Sequence, residues 1–193
     1  MRVPGSAHSL RCVDQALWAE ELARKLLEVP LPRRWAHVQG VAARARTLAP
    51  ILDHDAELLE AAAWLHDIGY SPYVADTGFH PLDGARYLRD VQHAEETVCR
   101  LVAHHTGAMI EAEERGLADI LASEFEPASQ YLGDALIYCD ITTSPDGKQV
   151  TADQRLAEIQ DRYGEGDLVS RSIRRATPQL LSAVRTIEGM TRT

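Results

Sequence analysis

The sequence predicts an all-α fold in which one domain forms a helical bundle. Apolar residues recur at the three- and four-residue spacing of amphipathic helices along almost the whole chain, and no segment alternates as a surface strand does. Prolines and glycines stand between these periodic segments, where they stop helices. The length of 193 residues, with 45% hydrophobic and 25% charged residues, suits a single domain with its own core and argues against a disordered chain.

The first three helices follow from apolar spacing and from helix-stop signals. We expect the first helix over residues 10–28, with a core face made of Val13, Leu17, Leu22, Leu26 and Leu27. The second, over residues 34–48, has its apolar residues on one side, namely Val38, Val41, Ala42, Ala45 and Leu48. Asp55 is the expected N-cap of a third helix that runs to about His66.

The rest of the chain predicts shorter helices, over residues 81–88, 95–105, 131–142, 151–163 and 169–188. Pro81 suits the first turn of its helix, and Thr151 with Gln154 has the spacing of a capping box. Pro145-Asp146-Gly147 indicates a turn. The polar stretch at 111–130 has no clear pattern, so no element is predicted there.

Charge and cysteine content limit the functional classes. With 20 basic and 29 acidic residues the net charge is −9, which argues against a protein that coats nucleic acid or an anionic membrane. Cys12, Cys99 and Cys139 have no CxxC spacing, so neither a disulfide framework nor a thiolate zinc site is indicated. No apolar run approaches the roughly 20 residues of a membrane span, and the N-terminus lacks a signal-peptide pattern. We therefore expect a cytoplasmic protein without membrane contact or extended nucleic-acid binding.

Polar side chains on apolar helix faces are the strongest functional signal. His66, with Asp67 beside it, continues the apolar stripe of the third helix, and His37, His105 and Asp140 hold inward positions on three others. A lone core histidine is usually just hydrogen-bonded. Several such residues on four helices need compensation, which a divalent cation supplies. Imidazole and carboxylate groups suit iron, manganese or zinc.

The order His37, then His66-Asp67, then Asp140 resembles the H…HD…D signature of the HD-domain superfamily of metal-dependent phosphohydrolases. HDIG at 66–69 is the commonest local form of that signature. FHPLDGARYL at 79–88 is similar to a helix start of the binuclear members, and LVAHHTG at 101–107 to their downstream histidine motif. The resemblance covers about residues 34–145. For the N-terminal helix and the two C-terminal helices that flank this core, we expect a packing role only.

The resemblance implies a helical bundle whose centre holds two divalent metal ions, either iron, manganese or another transition metal. One ion would be bound by His37, His66, Asp67 and Asp140. The second would be bound by Asp67, His80 and either His104 or His105. A water activated by the ions would attack phosphorus, and we assign catalysis to His66 and Asp67.

Two parts of this site stay open at the level of sequence. The helical stripe favours His105 as a ligand, while the His-His pair leaves His104 as an alternative. Cationic contacts to a phosphate are expected from Arg34, Arg44 or Lys148, each of which is equally a candidate for a solvated surface charge.

The expected activity is hydrolysis of a phosphate ester or anhydride of a nucleotide or another small molecule. Cyclic-di-GMP is disfavoured because the GYP signature of its hydrolases is missing after His105. A third metal is disfavoured because Arg33 stands four residues before His37, where trinuclear relatives have glutamate. One alternative is a diiron oxygenase of the same superfamily that cleaves a small organic or phosphonate substrate with dioxygen. Another is a non-catalytic helical scaffold. The sequence does not indicate an oligomeric state.

Overall fold

The computed structural model describes the backbone of residues 7–192 and the side chains from residue 15 onward. In this part of the chain the prediction of an all-α bundle is confirmed, since an isolated bridge between Thr143 and Gln149 is its only β-structure. The helices are α1 (Ala7–Leu27), α2 (Pro32–Arg46), α3 (Ala49–Leu52), α4 (Ala56–Leu65), α5 (His80–Asp90), α6 (Glu96–His104), α7 (Ala108–Arg115), α8 (Ala118–Glu124), α9 (Gln130–Ile141), α10 (Ala152–Tyr163) and α11 (Leu168–Thr191). Short 3-10 turns cover Asp53–Asp55 and Ile68–Tyr70. None of the helices within residues 7–192 combines the length and apolar character that a membrane span requires.

Helix α4 lies in the middle of the bundle, where it contacts α1, α2, α6 and α9. Most of its residues are buried on every side, namely Leu59, Ala61, Ala62, Ala63, Trp64 and Leu65. The three alanines favour helix formation and let neighbouring helices approach closely. Because the C-terminal half of the helix is enclosed, the two residues that follow it, His66 and Asp67, are also buried.

One expectation for the first part of the chain is wrong, and another, Asp55 as the N-cap residue of the helix before His66, is confirmed in position. The Leu17 side chain is 53% exposed. It lies about 140° around α1 from the buried Leu22, off the face that packs on the bundle. Asp55 precedes α4 as expected, but it belongs to the 3-10 turn and its side chain accepts no capping hydrogen bond. The predicted inward position of Val13, and any contact of Cys12, lie outside the described side chains.

Other local signals behave as predicted. Pro81 lies in the first turn of α5. The capping box of α10 is complete, because the Gln154 N–H donates to the Thr151 hydroxyl and the Thr151 N–H donates to the Gln154 side chain. The predicted turn after α9 is closed by the Gly147 N–H, which donates to the Ser144 carbonyl at 2.9 Å.

The unassigned stretch at 111–130 holds the end of α7 and the whole of α8. These helices have eight and seven residues, which is about two turns each and too short for a periodic pattern to stand out. Gly116 ends α7 in the left-handed conformation at φ 70°.

Two glycines bring α2 against the loop after α9. A Cβ atom on Gly40 would lie 2.4 Å from the Gly147 carbonyl oxygen, and one on Gly147 would lie 2.3 Å from the Ala36 carbonyl oxygen. Only glycine permits so close an approach of two backbones. The contact brings His37, which follows Ala36, next to the end of α9 and its Asp140.

We expect the Gly40→Ala variant to lose about 1–3 kcal/mol of unfolding free energy, because the new methyl group meets backbone rather than a movable side chain. Gly133→Ala is the matched control, since a Cβ on this glycine of α9 meets nothing within 4 Å. There, the higher helix propensity of alanine should leave stability unchanged or raise it by about 0.5–1 kcal/mol. Urea unfolding of both variants measures the difference, and equal effects would contradict the close crossing.

Candidate metal centre

Six polar side chains converge at one place in the bundle, and most of them are carried at helix ends. His66 and Asp67 follow α4, His80 begins α5, His105 follows α6, Asp140 lies in the last turn of α9, and His37 lies in the second turn of α2. All are buried except His80, which is partly buried. The helix ends therefore deliver imidazole and carboxylate groups to an interior point.

The Asp67 carboxylate lies at the centre of this cluster. Its Oδ2 is 3.4 Å from Nε2 of His66 and 3.9 Å from Nε2 of His37, and its Oδ1 is 3.5 Å from Nε2 of His80. The Nε2 atoms of His80 and His105 are 3.1 Å apart. Two groups of potential ligand atoms thus share Asp67, each with all of its atoms within 4.8 Å of one another. His37 and His66 belong to the first group, and His80 and His105 to the second.

Asp140 lies beside the first group. Its Oδ1 is 3.0 Å from Nε2 of His37 and 3.9 Å from Nε2 of His66. Burial raises the pKa of Asp140, but the hydrogen bond with His37 and the neighbouring His66 and Arg155 outweigh burial, so this pKa lies well below its usual range. Asp140 is therefore a carboxylate at neutral pH.

Hydrogen bonds to the backbone orient three of the imidazole rings. The Nδ1 atoms face carbonyl oxygens, His37 at Ser144 (3.0 Å), His66 at Ala63 (2.9 Å) and His105 at Val102 (2.7 Å). A carbonyl only accepts, so in neutral His66 and His105 Nδ1 carries the proton and Nε2 presents its lone pair to the cluster. This arrangement of the second ring nitrogen is the one that metal-binding histidines usually have. His37 also faces the Asp140 carboxylate, and it donates to Oδ1 only when its Nε2 is protonated.

The two histidines of the second group are neutral at pH 7. Burial lowers the pKa of His80 well below its ordinary value, and the neighbouring His105 lowers it further. Burial also lowers the pKa of His105, with a further contribution from His66. Neutral imidazole is the form that binds metal ions.

Lone pairs without partners show that a cation fits the cluster. Nε2 of His66 is buried and has no hydrogen-bond partner among the described residues, which costs about 1–3 kcal/mol in a purely protein environment. His37 faces acceptors at both ring nitrogens, so a neutral ring satisfies only one of them. A divalent ion that accepts electron pairs from imidazole and carboxylate removes both problems. The donor set therefore fits a divalent metal site.

Arg34 covers the carboxylate at the centre. Its Nη1 donates to Oδ2 of Asp67 at 2.7 Å, and its guanidinium lies 4.0 Å from the ring centroid of Tyr70, which stacks on His80. Burial raises the pKa of Asp67, but Arg34 and the surrounding imidazoles outweigh burial and hold it well below its usual range. The predicted substrate contact Arg34 is thus at the cluster. Nothing in the sequence signalled the stacking role of Tyr70.

The turn after α6 positions His105. The helix ends at His104, and His105 is extended, with φ −65° and ψ 153°. Thr106 then adopts a left-handed conformation at φ 39°, followed by Gly107 at φ 76°. The Thr106 hydroxyl donates to Oδ2 of Asp140 at 2.5 Å, which ties this turn to the end of α9.

His104 is not brought to the cluster. Its Nε2 donates to the Phe125 carbonyl oxygen at 2.7 Å, because adjacent side chains of a helix point about 100° apart. Of the two alternatives, His105 is the one that the structure brings to the cluster.

The structure does not bring Arg44 and Lys148, two of the predicted substrate contacts, to the cluster. Arg44 donates to the Tyr138 hydroxyl at 2.5 Å; it is two helical turns from His37, which is about 10 Å along the axis. Lys148 is exposed on the loop after α9. Neither residue lines the cleft over the cluster.

Helices expected only to pack contribute to the wall of this cleft. Arg155, Arg162 and Tyr163 of α10 line it together with Val169 and Ile173 from the start of α11. Arg155 interrupts the buried face that Ala152, Leu156 and Ile159 form. A charged residue on an apolar stripe is the signal that identified His66, and it was available here too.

We expect Mn²⁺ to raise the Tm of the metal-depleted protein, because an ion that binds only the folded state stabilises it by about 2.7 kcal/mol at a hundredfold excess over Kd. His105→Ala should remove at least half of the Tm increase. His104→Ala, the control one residue away, should keep the full increase. Calorimetry with and without Mn²⁺ measures both, and the opposite ranking of the two variants would contradict the ligand set.

A family comparison agrees with this geometry. The model of the HD domain family matches residues 34–165, about two thirds of the chain, from the first turn of α2 to just beyond α10. The match includes the whole cluster and α10. Searches of curated proteins and of solved structures give no significant match. The family match and the cluster of histidine and aspartate side chains lead to the same conclusion: the chain belongs to the HD domain family, within the superfamily of metal-dependent phosphohydrolases.

Proposed function

We propose that the protein is a metal-dependent phosphohydrolase that cleaves a phosphate ester or anhydride of a nucleotide or another small molecule. The observation that carries this proposal is a cleft in which two potential metal-ligand groups share Asp67 beneath the guanidinium groups of Arg34, Arg155 and Arg162. Arginine recognises phosphate oxygens through paired donors. A cleft that combines arginine side chains with ligands for divalent cations suits an anionic substrate.

A pair of ions fits this arrangement better than one. Two oxygens of the same carboxylate face different imidazoles, Oδ2 towards His66 and Oδ1 towards His80. In this proposal the first ion is bound by His37, His66, Asp67 and Asp140. The second is bound by Asp67, His80 and His105. Iron and manganese both accept this ligand set.

When bound, the ions supply a water nucleophile of lowered pKa and positive charge for the phosphoryl oxygens. Asp67 stays ionised because its pKa is held low. Arg34 uses Nη1 for Asp67, and its remaining N–H groups are donors for a nonbridging phosphoryl oxygen. Cys139 plays no part, because burial raises its pKa and its neutral thiol is fully enclosed. A water rather than a side chain is therefore the nucleophile.

We expect the anaerobically purified protein to contain about two metal ions per chain and to release p-nitrophenol from bis-p-nitrophenyl phosphate equally with and without dioxygen. Asp67→Ala should lose both ions and the activity, since it removes the shared carboxylate. Asp119→Ala is the control, because Asp119 is exposed on α8. Metal analysis by mass spectrometry and the colorimetric rate measure the two effects.

The same experiment tests the alternatives. Two irons per chain with no release in either atmosphere would point to oxidative chemistry on a small organic or phosphonate substrate. A protein that stays metal-free after incubation with Mn²⁺ or Fe²⁺ would indicate a scaffold. Full activity of Asp67→Ala would reject the site.

Arg34→Gln should lower kcat/KM by about a hundredfold, because loss of one donor to a developing oxyanion has an effect of that size. Arg44→Gln should stay within about twofold of the wild type, since Arg44 faces Tyr138. Steady-state rates at saturating Mn²⁺ provide the comparison. Equal losses in both variants would show that the effect is general rather than local to the cleft.

A further inference from the structure

A second cleft adjoins the one over the metal centre. It lies between the start of α2 and α10 and is lined by prolines, Leu31, His37 and four arginines, with no carboxylate among the described residues that line it. The arginines are Arg33, Arg34, Arg155 and Arg162. Three of these, Arg34, Arg155 and Arg162, also line the cleft over the metal centre. In a chain of net charge −9 this cleft is a local concentration of positive charge.

The four arginines are not equally neutralised. Arg33 pairs with Asp146 at 2.9 Å, and Arg34 pairs with Asp67. Arg155 and Arg162 both pair with the Glu158 carboxylate. Asp140 lies close enough to Arg155, and Asp146 to Arg162, for these arginines to lower the pKa values of the two carboxyl groups. The α10 side of the cleft thus presents two guanidinium groups that contact one carboxylate directly.

Of these two arginines, Arg155 gives the stronger evidence for an anion site. It is only 7% exposed, its Nη1 pairs with Glu158, and its Nε has no hydrogen-bond partner among the described residues. Arginine does not lose its charge in proteins. A buried guanidinium is unfavourable unless opposite charge compensates it, and an anion in the cleft would add such charge beside Arg155.

We propose that Arg155 and Arg162 bind a second phosphate of the substrate, while the phosphate that reacts lies over the metal centre beside Arg34. This inference rests on the proposed function, because it takes the metal centre as the place of reaction. The inference favours substrates with two or more linked phosphates, such as nucleoside di- and triphosphates or dinucleoside polyphosphates. Monophosphates are disfavoured because they would leave the second subsite empty. The two clefts share a wall, so one extended anion can occupy both.

Isothermal titration of the Mn²⁺-loaded protein tests the second subsite without turnover. The probes are methylenediphosphonate and methylphosphonate, which resist hydrolysis and differ in having two phosphonate groups or one. We expect methylenediphosphonate to bind at least tenfold more tightly, because charge-assisted hydrogen bonds to arginine are among the strong ones. Since two phosphonates also chelate Mn²⁺, the part of this preference that depends on Arg155 and Arg162 is the evidence for the subsite. Equal affinities for the two probes in the wild type would overturn the proposal.

Variants separate the subsite from the metal centre. Arg155→Gln and Arg162→Gln should each weaken methylenediphosphonate binding about tenfold and leave methylphosphonate within about twofold. Arg175→Gln is the control, because this exposed arginine pairs with Glu113 and Glu114 outside both clefts. Arg162 is partly exposed, so its variant keeps the test valid if Arg155→Gln does not fold. Equal losses for both probes would assign these arginines to the reacting phosphate and reject a second subsite.

The outcomes also separate this proposal from the proposed function. Arginine-dependent preference for the diphosphonate, together with no hydrolysis of any phosphate ester, would keep the subsite and reject the activity. Hydrolysis of bis-p-nitrophenyl phosphate with no preference for the diphosphonate would keep the activity and reject the subsite.

Discussion

Burial of the Asp67 carboxylate is the constraint on which the rest of the structure depends. Asp67 is 3% exposed, and burial of an uncompensated carboxylate lowers the stability of the fold by several kcal/mol. Arg34 supplies the compensating charge, and the imidazoles around Asp67 complete a donor set for a divalent cation. The ends of α4 and α6, the start of α5 and the second turn of α2 therefore have to meet at one point. The alanine-rich α4 makes this convergence geometrically feasible, because small side chains allow its neighbours to pack closely.

Backbone contacts then hold the convergence in place. Gly40 and Gly147 let α2 cross the loop after α9, and Gly69 does the same beside α5, where an added Cβ would lie 2.0 Å from the His80 carbonyl oxygen. The glycine of the HDIG segment is thus needed for packing rather than for a turn. Side chains on backbones that touch have little freedom to shift, which suits a group of residues that could hold a divalent metal ion.

The sequence predicted most of the histidine and aspartate cluster but few of the residues that line the cleft around it, and the difference has a physical reason. His37, His66 and Asp140 break apolar stripes, and a stripe is a local property that a sequence displays. The stripe of α6 also favoured His105 over His104, and the structure places His105 at the cluster. Arg44 shares a helix with His37, but two helical turns separate them. Arg155 interrupts an apolar stripe as well, but the stripe does not reveal that α10 packs beside the cleft, because that contact joins distant parts of the chain.

The left-handed backbone of Thr106 has a consequence for how this protein can change. A β-branched residue at positive φ is an unfavourable choice that costs about 1–3 kcal/mol, and glycine or asparagine would relax it. Either replacement would also remove the hydroxyl that holds Asp140. Backbone relaxation and order at the site therefore make opposite demands on this one residue. A glycine at position 106 would relax the backbone, but it would remove the hydrogen bond that connects the turn after α6 to Asp140 at the end of α9.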